Sequence, residues 1–191
     1  MAGDDKRQRI LDAAVAVVLR YGFKRTTMDD VAREAGISRP ALYLHFSNKA
    51  DIYRAIVEDI TARSLVGAEA ALAGAGDLET RLLSAIRIGI LDLVEQLMTS
   101  AHGGELLEMK GSVTPDLIEN WRSTMVRLIA GAIDGEARRV KRDLAARGFS
   151  APGLAATLLD AIEGLKHRTT SADAWQAGAV SIVRLVAMAL A

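Results

Sequence analysis

The sequence predicts an all-α protein, with three helices packed in an N-terminal domain over residues 1–53 and a larger helical domain over residues 54–191. Three observations lead there. Residues 26–51, TTMDDVAREAGISRPALYLHFSNKAD, carry three consecutive helix starts separated by very short turns. Apolar residues recur at i, i+3 and i+4 along most of the chain, and no segment alternates as a strand would. The interruptions are helix punctuation: His102-Gly103-Gly104, Thr114-Pro115, Gly148 with Pro152, and Thr169-Thr170-Ser171. With 50% hydrophobic residues in 191, the chain can bury a core.

The first helix is expected from about Asp5 to Tyr21, with Ile10, Ala13, Ala14, Val17, Val18 and Tyr21 on one buried stripe. Thr27, with Asp30 three residues on, is a good N-cap for a helix running to about Ala35. Gly36 closes that helix in the left-handed backbone a short turn between crossing helices needs, Ile37 plugs the angle, and the small Ala32 allows close approach. Ser38 caps the next helix, Pro40 sits in its first turn where the missing amide costs nothing, and Leu42 and Phe46 face inward. Its outward face is left with Arg39, Ala41, Tyr43, Leu44 and His45. Asn48 with Asp51 caps a longer helix that carries Lys49 at its positive end, a phosphate seat, and runs past Ile52, Ile56, Ile60 and Leu65. The Gly/Ala-rich GAEAALAGAGD that follows is the expected junction. Further helices are expected at about Leu78–Thr99, Gly104–Lys110, Asp116–Arg147, Ala151–His167 and Ala172–Leu190.

Composition narrows the class. The absence of cysteine excludes disulfides, thiolate metal sites and a cysteine nucleophile. The charged start MAGDDKRQR and the lack of any apolar run of about 18 residues argue for a cytoplasmic protein with no membrane association. Net charge is zero, but residues 1–53 hold nine Lys/Arg against seven Asp/Glu, a surplus of two. Attraction to a polyanion would depend on where those cations sit, and modest non-specific affinity is expected.

The run from Ile10 to Tyr53 (ILDAAVAVVLRYGFKRTTMDDVAREAGISRPALYLHFSNKADIY) resembles the N-terminal DNA-binding domain of the TetR family of bacterial transcriptional repressors. It shares an alanine pair before Tyr-Gly, Thr-Thr before the second helix, an Ala-Gly-Ile-Ser turn, Leu-Tyr-x-His-Phe in the recognition helix and a following Asn-Lys. The resemblance implies a helix-turn-helix transcription regulator that binds a double-stranded, palindromic operator through Thr27, Ser38, Arg39, Pro40, Ala41, Tyr43, Leu44, His45 and Lys49. Arg39 is the expected base reader; Tyr43, His45, Lys49 and Thr27 are expected at phosphates. Pro40 and Ala41 depart from the Gly-Thr or Gly-Ser often found there, which shifts weight toward apolar contact with a thymine methyl.

Beyond the head, the resemblance implies a helical effector-binding and dimerisation domain. The small-molecule effector is expected among Ile86, Ile90, Leu93, Met98, His102, Met109, Trp121, Met125 and Leu128; with few aromatics outside the head, an apolar, flexible molecule fits best. The last two helices are expected to form a homodimer through Leu158, Ile162, Leu165, Trp175, Ile182 and Val186, with Gly164 and Gly178 permitting close crossing. No cofactor and no metal are expected.

Two other classes are weighed. No HExxH, GxSxG or Gly-rich phosphate loop occurs, which argues against an enzyme. A ligand-independent architectural or protein-interaction factor would share the head but not respond to a small molecule. The cluster Arg138, Arg139, Lys141, Arg142, interspersed with Asp134, Glu136 and Asp143, reads as the solvated face of a long helix rather than a second nucleic-acid patch.

Overall fold

A computed structural model describes residues 2–103, 105, 114–168 and 171–190, and every described element is helical. The elements are α1 (Ala2–Tyr21), α2 (Met28–Glu34), α3 (Arg39–Tyr43), α4 (Lys49–Leu72), α5 (Leu78–Ile86), a π-helical turn (Arg87–Leu91), α6 (Asp92–Thr99), α7 (Pro115–Arg139), a 3₁₀ turn (Ala145–Arg147), α8 (Ala151–Arg168) and α9 (Ala172–Met188). The helix expected at Gly104–Lys110 lies outside the described residues.

The chain forms two units. One comprises residues 1–62 with 94–119, the other residues 63–93 with 120–191. The expected division after residue 53 falls within α4. α4 continues through Ala62 without a break, and residues 94–119 belong with the head. Side chains account for the second point: Arg54 forks onto both carboxylate oxygens of Asp116, with Nη1 to Oδ1 at 3.0 Å. Gly22, at φ +83°, takes a left-handed turn where an added Cβ would stand 2.9 Å from the Glu105 carboxylate.

In the head, Ile10, Leu11, Ala14, Val31, Ala32, Leu42, Phe46 and Ile52 form one buried core from α1 to α4. The second unit buries Leu82, Ala85, Ile86, Met125, Ile129, Ile133, Leu158, Ile162, Trp175, Ala179 and Val183. The Gly/Ala-rich stretch is no linker there. α4 holds its helix to Leu72 with Ala68 and Leu72 buried, and Asp77 then caps α5 by accepting from the Thr80 amide at 2.8 Å.

α7 ends earlier than the expected Arg147. Lys141 takes φ +55°, its amide bonds the Arg138 carbonyl and the Arg142 amide reaches back to Ala137 at 2.9 Å. That pair of bonds is the glycine-type helix stop, built here on a lysine. Seven residues on, Gly148 at φ +76° closes the 3₁₀ turn in the same way, with the Phe149 amide on the Leu144 carbonyl.

Candidate nucleic-acid interface

Local chemistry builds the two-helix element as expected. The Thr27 hydroxyl accepts from the Asp30 amide at 3.2 Å while the Asp30 carboxylate accepts from the Thr27 amide at 3.0 Å, a reciprocal cap. Gly36 sits at φ +66° and the Ile37 amide bonds the Ala32 carbonyl. The Ser38 hydroxyl accepts from the Ala41 amide at 3.3 Å, with Pro40 in the first turn. Leu42 and Phe46 are buried. Ser38, Arg39, Pro40, Tyr43, Leu44 and His45 are therefore exposed together, Ala41 half-exposed beside them, and Leu44 is 85% exposed.

The electrostatics differ from expectation. Arg39 lies 2.8 Å from Asp29, and its guanidinium also covers the Tyr43 ring at 5.5 Å. Hydrogen bonding to the Tyr43 hydroxyl, then the Asp29 charge, holds the guanidinium above its ordinary pKa. Arg20 pairs with Glu34, Arg33 with Asp30, Arg9 donates to the Ala35 carbonyl and Arg7 covers the Phe46 ring. Among the described residues, Lys6, Lys24 and Arg25 are the head's cations without such a partner.

Two of the side chains expected at phosphates have partners within the chain. The Lys49 ammonium donates to the carbonyls of Phe23 at 3.0 Å, Lys24 at 3.2 Å and Thr26 at 3.2 Å, and lies 4.7 Å from the Phe23 ring centre. All three of its donors converge on the loop between α1 and α2, where a carbonyl cluster outcompetes solvent for a nearby cation. The Thr27 hydroxyl donates to Asp30 at 2.6 Å, so its proton is also engaged. The side chains that could have signalled this, Phe23 and Lys49, are 26 residues apart, too far for pattern reading.

In the second unit the structure brings Trp121 and Met125 together with a residue that sequence reasoning missed. The Trp121 indole donates to the Ser64 hydroxyl at 2.9 Å, which donates to the Gly89 carbonyl in the π-helical turn at 2.8 Å. Ser64 is a buried hydroxyl on α4 that belongs to no motif of its own. Ile86 and Met125 are fully buried, and Ile90, Trp121 and Leu128 are half-buried. His102 lies in the other unit, 3.6 Å from Glu105. Met109 and the side chains of Leu93 and Met98 lie outside what is described.

Most of the expected dimer stripe is buried in the single chain. Leu158, Ile162, Trp175 and Val186 are buried within the chain, and the Trp175 indole donates to the Ile162 carbonyl at 3.1 Å. Leu165 and Ile182 are half-buried, Leu165 lying where a Cβ on Gly178 would meet it at 2.7 Å. α9 packs on both α8 and α5, which places these stripes largely in the unit's own core. Among the residues facing outward on these helices are Gly164, Ser181, Leu185 at 67% exposure and Met188 at 65%.

Residues 10–56 match the family of bacterial regulatory proteins, tetR family. The chain is 34% identical over 92 residues to the HTH-type transcriptional activator FasR of Mycolicibacterium smegmatis, covering 48% of this chain and 42% of that protein. It is 32% identical over 120 residues to the HTH-type transcriptional regulator TtgR of Pseudomonas putida, covering 60% and 55%. The chain thus spans about half the length of these relatives. In structure it is similar to SmeT, the repressor of the Stenotrophomonas maltophilia multidrug efflux pump SmeDEF, with a TM-score of 0.66 at 21% identity over 94% of this chain and 87% of that one. SmeT in complex with triclosan aligns at 0.61, with 22% identity over 85% and 79%. At such identities the likeness carries the fold alone. No described helix is long and apolar enough to cross a membrane.

Proposed function

The chain belongs, through residues 10–56, to the tetR family of bacterial regulatory proteins, and from that premise we propose that it is a homodimeric transcriptional repressor of the cytoplasm that releases a palindromic operator when a small apolar molecule binds its helical body. The observation that carries this reading is α3 presenting Ser38, Arg39, Tyr43, Leu44 and His45 outward from a sealed core. Arg39 reads a guanine edge after exchanging Asp29 for the base, and Leu44 and Ala41 meet thymine methyls. Lys24 and Arg25, on the loop that Lys49 braces, neutralise phosphates.

Two such heads must meet successive major-groove faces, which requires a dimer and half-sites about one helical turn apart or slightly more. The outward residues Leu185 and Met188, with the open Gly164, supply a self-complementary face in place of the buried stripe. The effector packs beside Trp121 and Met125, where the Ser64 hydroxyl offers one polar anchor. α4 is the element common to both units, so displacement of its body segment is the route to the DNA face. The ligand shifts operator affinity only as far as it binds the released arrangement better, typically by about 1–3 kcal/mol.

Footprinting on the DNA flanking its own coding region, repeated with candidate apolar compounds, tests the proposal. A protected near-palindrome that a compound clears is the expected result. Protection without sequence preference that no compound alters would favour an architectural factor.

A further inference from the structure

The early stop of α7 leaves a surface groove of about 630 Å³ in the second unit, among the end of α7, the 3₁₀ turn and the start of α8. Its lining is amphipathic. Ala137, Leu144 and Ala151 form a buried apolar floor, and the Phe149 ring stands 43% exposed over it. The charged rim is unbalanced. Asp134 is held by Arg138 at 2.8 Å, and Asp143 is engaged by the amides of Ala145 at 2.9 Å and Ala146 at 3.2 Å. Lys141 and Arg142 have no acidic partner among the described residues. Lys141 also adopts, at φ +55°, a backbone conformation for which glycine is favoured.

We propose that this groove binds a small organic anion with an aromatic body, its carboxylate or sulfonate lying between Lys141 and Arg142 and its ring against Phe149 and Leu144. The volume suits a small molecule, and an apolar floor with a few convergent charges is how such sites are built. The two unpaired cations give the sign of the head group, and the exposed ring gives an aromatic body a stacking partner. A nucleic acid fits less well, because a polyanion needs a longer run of cations and would pass both aspartates. The groove shares no residue with the DNA face or with the residues around Trp121, so it stands whether or not the regulatory reading does.

The test uses the full chain and 2-naphthoate, read by amide NMR shifts and calorimetry. Saturable binding with shifts centred on Leu144, Gly148, Phe149 and Ser150 is expected, and 2-naphthylmethylammonium should bind at least about tenfold more weakly. The double variant Lys141→Gly, Arg142→Ser removes the charges while easing the left-handed backbone. It should keep or raise the thermal midpoint and lose about tenfold or more in naphthoate affinity. Phe149→Ala should weaken naphthoate but leave inorganic phosphate, a far weaker binder, unchanged. No saturable binding, shifts centred elsewhere, equal affinity for the cationic probe, or undiminished binding by the folded double variant would overturn the proposal. So would random-sequence duplex DNA shifting the same amides, which would assign the patch to nucleic acid.

Discussion

Replacing Lys49 with methionine keeps the apolar stem and removes the ammonium, which isolates the bond set that ties α4 to the loop between α1 and α2. Three carbonyls lose their donor, at 3.0, 3.2 and 3.2 Å, and the Phe23 ring loses a cation 4.7 Å away. A hydrogen bond to a charged group contributes about 1.5–3 kcal/mol. The three here share one ammonium and their carbonyls are partly open to water, so they do not add; together they are worth about 2 kcal/mol. The cation over the ring adds about 0.5–1 kcal/mol at such a partly exposed site. A loss of about 2–3 kcal/mol follows, which in a chain of this size lowers the melting midpoint by roughly 5–10 °C. Urea unfolding followed by far-UV circular dichroism measures the loss. Hydrogen exchange should rise over residues 21–26, and the salt dependence of DNA binding should keep its slope. A variant within about 0.5 kcal/mol of the parent whose salt slope falls by about one would refute the reasoning and make Lys49 the phosphate contact the sequence suggests.

At the DNA face, Asp29→Asn should free Arg39 and tighten operator binding by about two- to fivefold, whereas Arg39→Ala should weaken it by about tenfold or more and relax preference at one position per half-site; a binding selection in which neither variant changes the preferred sequence or affinity sinks the assignment. Leu185→Arg with Met188→Asp should give a folded monomer by sedimentation that no longer holds the operator, and an intact dimer would move the interface elsewhere. Trp121 fluorescence should change on titration with any compound that releases the operator, and a Trp121→Arg, Met125→Arg variant that still responds at full affinity would place the effector elsewhere. Burial pushes the Tyr53 hydroxyl up to about 12 from an ordinary 10, so the stability it contributes is complete below pH 10 and lost as pH rises toward 12. In an alkaline titration at 295 nm, one of the three tyrosines should ionise only as the head unfolds; three ionising together near pH 10 with the helices intact would contradict this.

What the sequence determined by itself is local. Thr27 with Asp30, Ser38 with Pro40, and Gly36 act within one turn of their own backbone, so their spacing is enough to place α2, the turn and α3, and the period of Leu42 and Phe46 then leaves Arg39, Tyr43 and Leu44 outside. Only the tertiary structure decided which groups at that surface are free. Asp29 reaches Arg39 across the turn, and Lys49 reaches carbonyls 23–26 residues away, because a charged side chain settles on whichever partner the fold brings nearest. The same holds for the apolar stripes of α8 and α9. Periodicity tells that a face is covered but not what covers it, and here the chain's own core takes Leu158, Ile162, Trp175 and Val186 and leaves Leu185 and Met188 outward. Nor does helix-forming composition announce the stop of α7: Lys141 turns left-handed because Leu144 gains burial when the chain reverses, a compensation that exists only once the core it enters has formed.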